Sequence, residues 1–223
     1  LGEYQDATEL WEELLREPNI SSTERQHIEN LLAYNKLQNN DLEGARLAFE
    51  SLKNSTNLVT RSQGLMGLAE THRRVGEFEK AKETYLSILE QSDDREILLQ
   101  TWQELAEIAQ EQDRAEDQLL AWKNILLHSG EDQTLQSEAH LSIAMVYVEL
   151  GQIEDALAEC DLGMHTAEAE LQCASILEMV QDSRSVIRYM ALLENEAIPS
   201  NIRAEAGLGA ARQQDNLIQC VHI

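Results

Sequence analysis

Apolar and small residues recur along this chain with a helical period of three to four positions and, superposed on it, with a much longer period. From Gly76 the order is turn glycine, Ala81 five residues on, Tyr85 four further, and the aliphatic pair Ile88 and Leu89 behind it. The same order returns as Gly2, Ala7, Trp11; as Asn40, Ala45, Phe49; as Asp113, Gln118, Trp122; and as Gly151, Ala156, Cys160. Successive small positions lie 38, 36, 37 and 38 residues apart, a regularity that marks a repeat array. Before each turn a second helical stripe carries an aliphatic and a small residue: Leu32 and Ala33, Leu68 and Ala69, Leu105 and Ala106, Ile143 and Ala144. Small side chains there let two helices approach closely. The spacing predicts helix pairs over 22–38 with 41–53, 60–75 with 77–91, 95–111 with 114–128, and 134–150 with 152–164.

Boundary chemistry agrees with these spans. The turn glycines, and Asn40 and Asp113 in their place, tolerate the left-handed conformation that ends a helix. Ser21 to Glu24 and Ser92 to Asp94 read as helix starts. After residue 165 the pattern degenerates. Residues 167–180 read as a helix, Gln181 to Ser183 as a turn and 184–195 as a second helix, with Pro199 starting another. Leu208 and Gly209, seven residues before Asn216, read as a further first helix, with Leu217 to Ile223 as its aborted partner. The expected organisation is therefore repeats over 1–165, entered in mid-repeat as in a piece of a longer protein, and degenerate repeats or a cap over 166–223.

The positions that carry the period resemble the tetratricopeptide repeat (TPR) family. Leu65, Leu68, Ala69, Gly76, Ala81 and Tyr85 form one copy; Trp102, Leu105, Ala106, Gln118 and Trp122 another; Ile143, Ala144, Tyr147, Gly151 and Ala156 a third. The period exceeds the usual repeat of about 34 residues. The late proline of each repeat is missing, and Gln118 and Cys160 are atypical. The resemblance implies an all-α, right-handed superhelical solenoid of antiparallel helix pairs whose first helices line a concave groove for a peptide or helix of a partner. Carried over by position, the groove residues are His27, Asn30, Tyr34 and Leu37; Met66, Glu70, Arg73 and Arg74; Gln103, Glu107 and Gln110; and Leu141, Met145 and Val148. The last three give one helix a second apolar face, to be covered by a partner or by the helices after residue 165. The Lys and Asn set with which some members clamp a C-terminal carboxylate is absent.

Composition narrows the function. Seventeen basic and 41 acidic residues leave a formal charge of −24, which repels nucleic acid and anionic membranes. The charge is either a solvated surface or an attraction for a basic partner. No apolar run approaches the roughly 20 residues of a membrane span. Cys160, Cys173 and Cys220 form no metal-ligand spacing, and the first two read as buried neighbours able to pair if oxidised. The sequons at Asn19 and Asn54 are three-residue patterns without a leader to support secretion. The six histidines form no metalloprotease motif, Gly207-Leu208-Gly209 follows no strand, and Trp11, Trp102 and Trp122 read as core. No cofactor, metal or catalytic group is expected.

The expected function is a non-enzymatic scaffold or adaptor holding a peptide or helix of another protein, basic or amphipathic, in its groove. A self-assembling repeat protein, or a regulatory arm of a larger multidomain protein, are the alternatives. A reducing, cytoplasmic setting fits the cysteine usage, with the periplasm as the other choice.

Overall fold

The structure, a computed structural model, describes the backbone of residues 2–221 and the side chains of residues 8–213. Ala7 and Cys220 thus fall outside the described side chains, and Leu1, His222 and Ile223 outside the described residues. In order the helices are α1 (Gly2–Arg16), α2 (Ser22–Gln38), α3 (Leu42–Leu52), α4 (Leu58–Arg74), α5 (Phe78–Gln91), α6 (Arg95–Glu111), α7 (Ala115–His128), α8 (Gln133–Glu149), α9 (Ile153–Gly163), α10 (Ala167–Met179), α11 (Arg184–Glu194) and α12 (Ser200–Val221). No strand occurs among the described residues. The all-α expectation and its helix pairs hold. One expectation does not: α12 runs unbroken through Asn216 to Val221, so no turn separates an aborted partner helix. Nothing between Gly209 and Val221 supplies the glycine or proline that would stop it.

Two kinds of helix start alternate. Each first helix is capped by a side chain: the Ser21 hydroxyl accepts from the Glu24 amide in a full capping box, and Asn57, Asp94, Asp132 and Thr166 accept from amides of their own first turns. Of the second helices, α3 is capped by Asp41, whose side chain accepts from the Gly44 amide, whereas α5, α7, α9 and α11 have no cap-residue side-chain bond and follow directly on a backbone turn. That turn is the same five times. Asn40, Gly76, Asp113, Gly151 and Gln181 have φ of 62°, 78°, 53°, 72° and 57°. In each case its amide and the next one donate back to carbonyls three and five residues earlier, a Schellman closure that satisfies the helix end. For Gly76 these bonds run to Arg73 and His72, both at 2.9 Å.

The fifth of these turns lies past residue 165, where the sequence pattern fades. Seven residues before it stands Ala174, fully buried, in register with Ala33, Ala69, Ala106 and Ala144, which are likewise 0–3% exposed. The pair α10 and α11 is thus built as the others are.

Contacts divide the chain into two compact units, Leu1–Ile108 and Ala109–Ile223, with the division inside α6. In the first, α2, α3, α4 and α5 pack in sequence, and α2 also meets α4, so first helix lies against first helix. Ala33, Leu37, Ala45, Phe49, Leu52 and Leu68 form its core cluster. Phe49 lies edge-on to Tyr34, 4.9 Å between ring centroids, and sits so tightly on Gly67 that a Cβ there would come within 2.1 Å of the ring. In the second unit α8 packs on α9 and on α10, and α10 on α11 and α12. Gly209 of α12 receives the ring of Tyr189 as Gly67 receives Phe49, which accounts for the Gly207-Leu208-Gly209 run as a packing feature. Trp11, Trp102 and Trp122 are half-buried rather than core, and in α7 Ala121 and Ile125 carry the burial instead.

Candidate functional site

Counting back from each turn residue sorts the candidate residues into three registers. Six positions before the turn stand Tyr34, Glu70, Glu107 and Met145; ten before, Asn30, Met66, Gln103 and Leu141; three before, Leu37, Arg73, Gln110 and Val148. His27 stands thirteen before. The structure brings two separate groups of them together.

In the first unit the group is electrostatic. The Arg73 guanidinium donates from Nε to Glu70 at 2.8 Å and from Nη1 to Glu107 at 2.6 Å. Arg74 donates to the other Glu70 oxygen at 2.7 Å and to the Leu37 carbonyl at 3.1 Å. The Tyr85 hydroxyl donates to Glu104 at 3.2 Å. Burial, reinforced by Glu107, raises the Glu104 carboxyl above its ordinary value. Burial, with Glu104 and Glu70 nearby, pushes the Tyr34 hydroxyl up to about 12. The two arginines are committed to the carboxylates around them.

Other first-unit candidates lie elsewhere. Met66 is core, at 8% exposed. Asn30 is buried, and its Oδ1 has no hydrogen-bond partner. Gln103 is half-buried. His27 borders a separate cleft of about 430 Å³, with Leu14, Ile20, Glu24 and Ile28.

In the second unit the group is a cleft of about 620 Å³ between α8 and α10. Leu141, Met145, Ala169, Ile176 and Met179 give it an apolar floor, and Thr134, Ser137, Ser142, Thr166, Gln172 and Ser175 add hydroxyls and an amide. Its charged lining consists of Glu138 and Glu168. Leu141 is itself 6% exposed, held by the cluster of Ala144, Ala156, Leu157, Cys160, Cys173 and Leu177. Thus α10 supplies much of the second cover that this helix needs. Met145 stays partly buried beside the opening, Val148 packs against the same cluster without lining the cleft, and Gln110 is exposed outside it.

The α10 side of the cleft is absent from the sequence expectation because glutamine at position 181 carries no signal of a left-handed turn that would set the register of α10. Applied from Gln181, the same offsets give Glu168, Leu171, Ser175 and Glu178. Glu168 and Ser175 line the cleft.

Cys160 and Cys173 are both fully buried free thiols in the shared core of α9 and α10. The hydrogen bond with Cys173, reinforced by burial, raises the Cys160 thiol well above the usual range. His140 contacts Glu159 at 2.7 Å between α8 and α9. No group of three or more His, Cys, Asp and Glu able to hold a metal occurs among the described residues, and no described helix is long and apolar enough to cross a membrane.

The paired helices, their five-fold Schellman turn and the first-helix stacking define a tetratricopeptide-like array. Among solved structures, two crystal structures of MamA are similar in fold. One is 14% identical over 86% of this chain and 98% of that one, with a TM-score of 0.50. The other is 15% identical over 77% of this chain and 92% of that one, at 0.53. A tetratricopeptide repeat protein from Parabacteroides merdae aligns over 93% of both chains at 14% identity and a TM-score of 0.44. No family model and no curated protein matches the chain.

Proposed function

We propose that the chain is a non-enzymatic interaction scaffold that holds a peptide or helix of another protein on its first-helix face, in the cleft between α8 and α10. One observation carries this reading: an open cleft of about 620 Å³ with an apolar floor and scattered hydroxyls, in the size range of about 300–1,000 Å³ usual for ligand sites. Tyr34, Glu70, Arg73, Gln103 and Glu107 hold the same register positions on the first helices of the first unit, where the charged ones pair with one another. The array continues past residue 165, because the turn at Gln181 and the buried Ala174 repeat the earlier units.

The test is capture of partners from an extract of the parent organism by the intact parent protein. Met145→Glu with Met179→Glu places two charges on the cleft floor, where Met145 is partly buried and Met179 is 63% exposed, so the fold survives. Leu127→Glu, at a position 76% exposed and outside the cleft, is the control. The double variant loses partners that the control retains. Undiminished capture by the folded double variant overturns the reading.

A further inference from the structure

The cleft also carries information about what fills it. Its lining holds two carboxylates, Glu138 on α8 and Glu168 on α10, and no lysine or arginine. Neither carboxylate has an ion-pair or hydrogen-bond partner among the described residues. Glu154, Glu159, Asp161, Glu178 and Asp182 of the same unit each meet a cation or histidine, and what sets Glu138 and Glu168 apart from the unit's other unpaired carboxylates is that they line the cleft. They stand thirteen residues before their respective turns, at one register position on two successive first helices. Both therefore border the same opening.

Ser137 belongs to the wall of this cleft, and its Oγ is shielded from solvent and without a hydrogen-bond partner. The floor itself contains Met145 and Met179, whose unbranched, polarisable side chains adapt to varied apolar surfaces.

We infer that the occupant is a basic, amphipathic segment of another protein. In this arrangement its apolar side chains rest on Leu141, Met145, Ile176 and Met179, and its Lys or Arg residues meet Glu138 and Glu168. A second copy of this chain is disfavoured as occupant by the −24 formal charge it shares. The inference rests on the scaffold reading above and specifies the chemistry of its ligand.

The probes are short synthetic amphipathic peptides that share their leucine positions and differ only in bearing Lys, Gln or Glu at the polar ones, titrated against the chain by fluorescence anisotropy. The Lys peptide binds at least about tenfold more tightly than the Glu peptide, with the Gln peptide between. Glu138→Gln with Glu168→Gln weakens the Lys peptide about tenfold and flattens its salt dependence. That variant removes two of 41 acidic residues, so general attraction to the acidic surface scarcely changes.

Two failures are distinguishable. If Gln or Glu peptides bind as tightly as the Lys peptide and Met145→Glu abolishes all of them, the scaffold reading stands and the basic ligand is wrong. If no peptide responds to Met145→Glu, both readings fall. An unchanged Lys-peptide affinity in the double Gln variant likewise overturns the assigned role of the two carboxylates.

Discussion

The first-helix face is built from the same register positions in both units, and the two units use it in opposite ways. In the first, position six before the turn brings Glu70 and Glu107, position three brings Arg73, and the three charges close on one another within 2.6–2.8 Å. In the second, the corresponding positions carry Met145, Val148 and Ser175, with Glu178 paired to Arg212, and the opening keeps two carboxylates without counter-ions among the described residues. The charges Glu70, Arg73 and Glu107 of the first face are paired with one another, whereas Glu138 and Glu168 at the opening of the second are not. The cause is the placement of cations: Arg73 and Arg74 stand within the first face, whereas the cleft lining of the second has none. Recognition capacity in a repeat array therefore follows from what each copy leaves unpaired, not from the shared architecture.

The largest expected effect separates floor from frame inside the cleft. Leu141→Ala removes a side chain that is 6% exposed and packed in the α8–α9–α10 core, and costs about 2–4 kcal/mol. Met145→Ala, at a partly buried position beside the opening, costs about 1 kcal/mol, since the site can relax toward solvent. Urea unfolding of the two variants measures the difference. Equal losses would mean that Met145 is a core residue, and the second unit would then lack the open surface that sets it apart from the first.

Acid should move the contributions of two carboxylates, one in each unit, in opposite directions. In the second, Arg212 donates twice to Glu178 at 3.0 Å and the Tyr189 hydroxyl once at 2.6 Å, and these bonds lower the Glu178 carboxyl to about 2. A folded-state value below the unfolded one means that stability is present above the ordinary carboxylate range and drains away as pH falls from about 4.5 toward 2. After solvent screening the loss is on the order of 1 kcal/mol. In the first, Glu104 is raised, chiefly by burial, so its folded form binds the proton more tightly than the unfolded chain does. Its contribution declines as pH rises through the window above the ordinary value, and acidification restores it. Urea unfolding of Arg212→Ala and of Glu104→Gln, each against the unaltered chain from neutral pH downward, reads the two slopes separately from those of Glu24, Glu43 and Glu77, which are lowered. Arg212→Ala flattens the second slope, and Glu104→Gln removes the first while stabilising the first unit at neutral pH. Parallel slopes in both units would break the contrast.

Helix existence and boundaries were legible from the sequence because they rest on local chemistry: left-handed turn residues, side-chain caps and a small residue at a fixed offset. The predicted 22–38 and 95–111 match α2 and α6 to the residue. The open cleft was half legible. Leu141 and Met145 showed as an extra apolar stripe, but which stripe residue is frame and which is floor depends on how α10 lies against α8. Glu168, Ser175, Ile176 and Met179 went unseen because Gln181 does not announce a left-handed turn as glycine does, and without that mark α10 had no register. The continuation of α12 past Asn216 is the converse case. Asparagine at an apparent turn position is permissive, and it ends a helix only where the following residues can close back on it.

The smallest effect tests that last point through the turn itself. Gly76 and Gln181 occupy the same left-handed conformation, at φ of 78° and 57°, in the same backbone closure. A Cβ on Gly76 would meet nothing within 4 Å, so Gly76→Ala introduces conformational strain alone. The left-handed penalty of about 1–2 kcal/mol is partly offset by the lower unfolded-state entropy of alanine, leaving a loss of about 0.5–1 kcal/mol. Gln181 already bears that strain, and its side chain is exposed with no hydrogen bond among the described residues, so Gln181→Gly reverses the same balance and stabilises the second unit by about 0.5 kcal/mol. Thermal melts of the two variants give shifts of opposite sign. A loss on Gln181→Gly would show that the glutamine side chain holds the degenerate turn together by contacts of its own, and that the fifth pair is not built on the same closure as the other four.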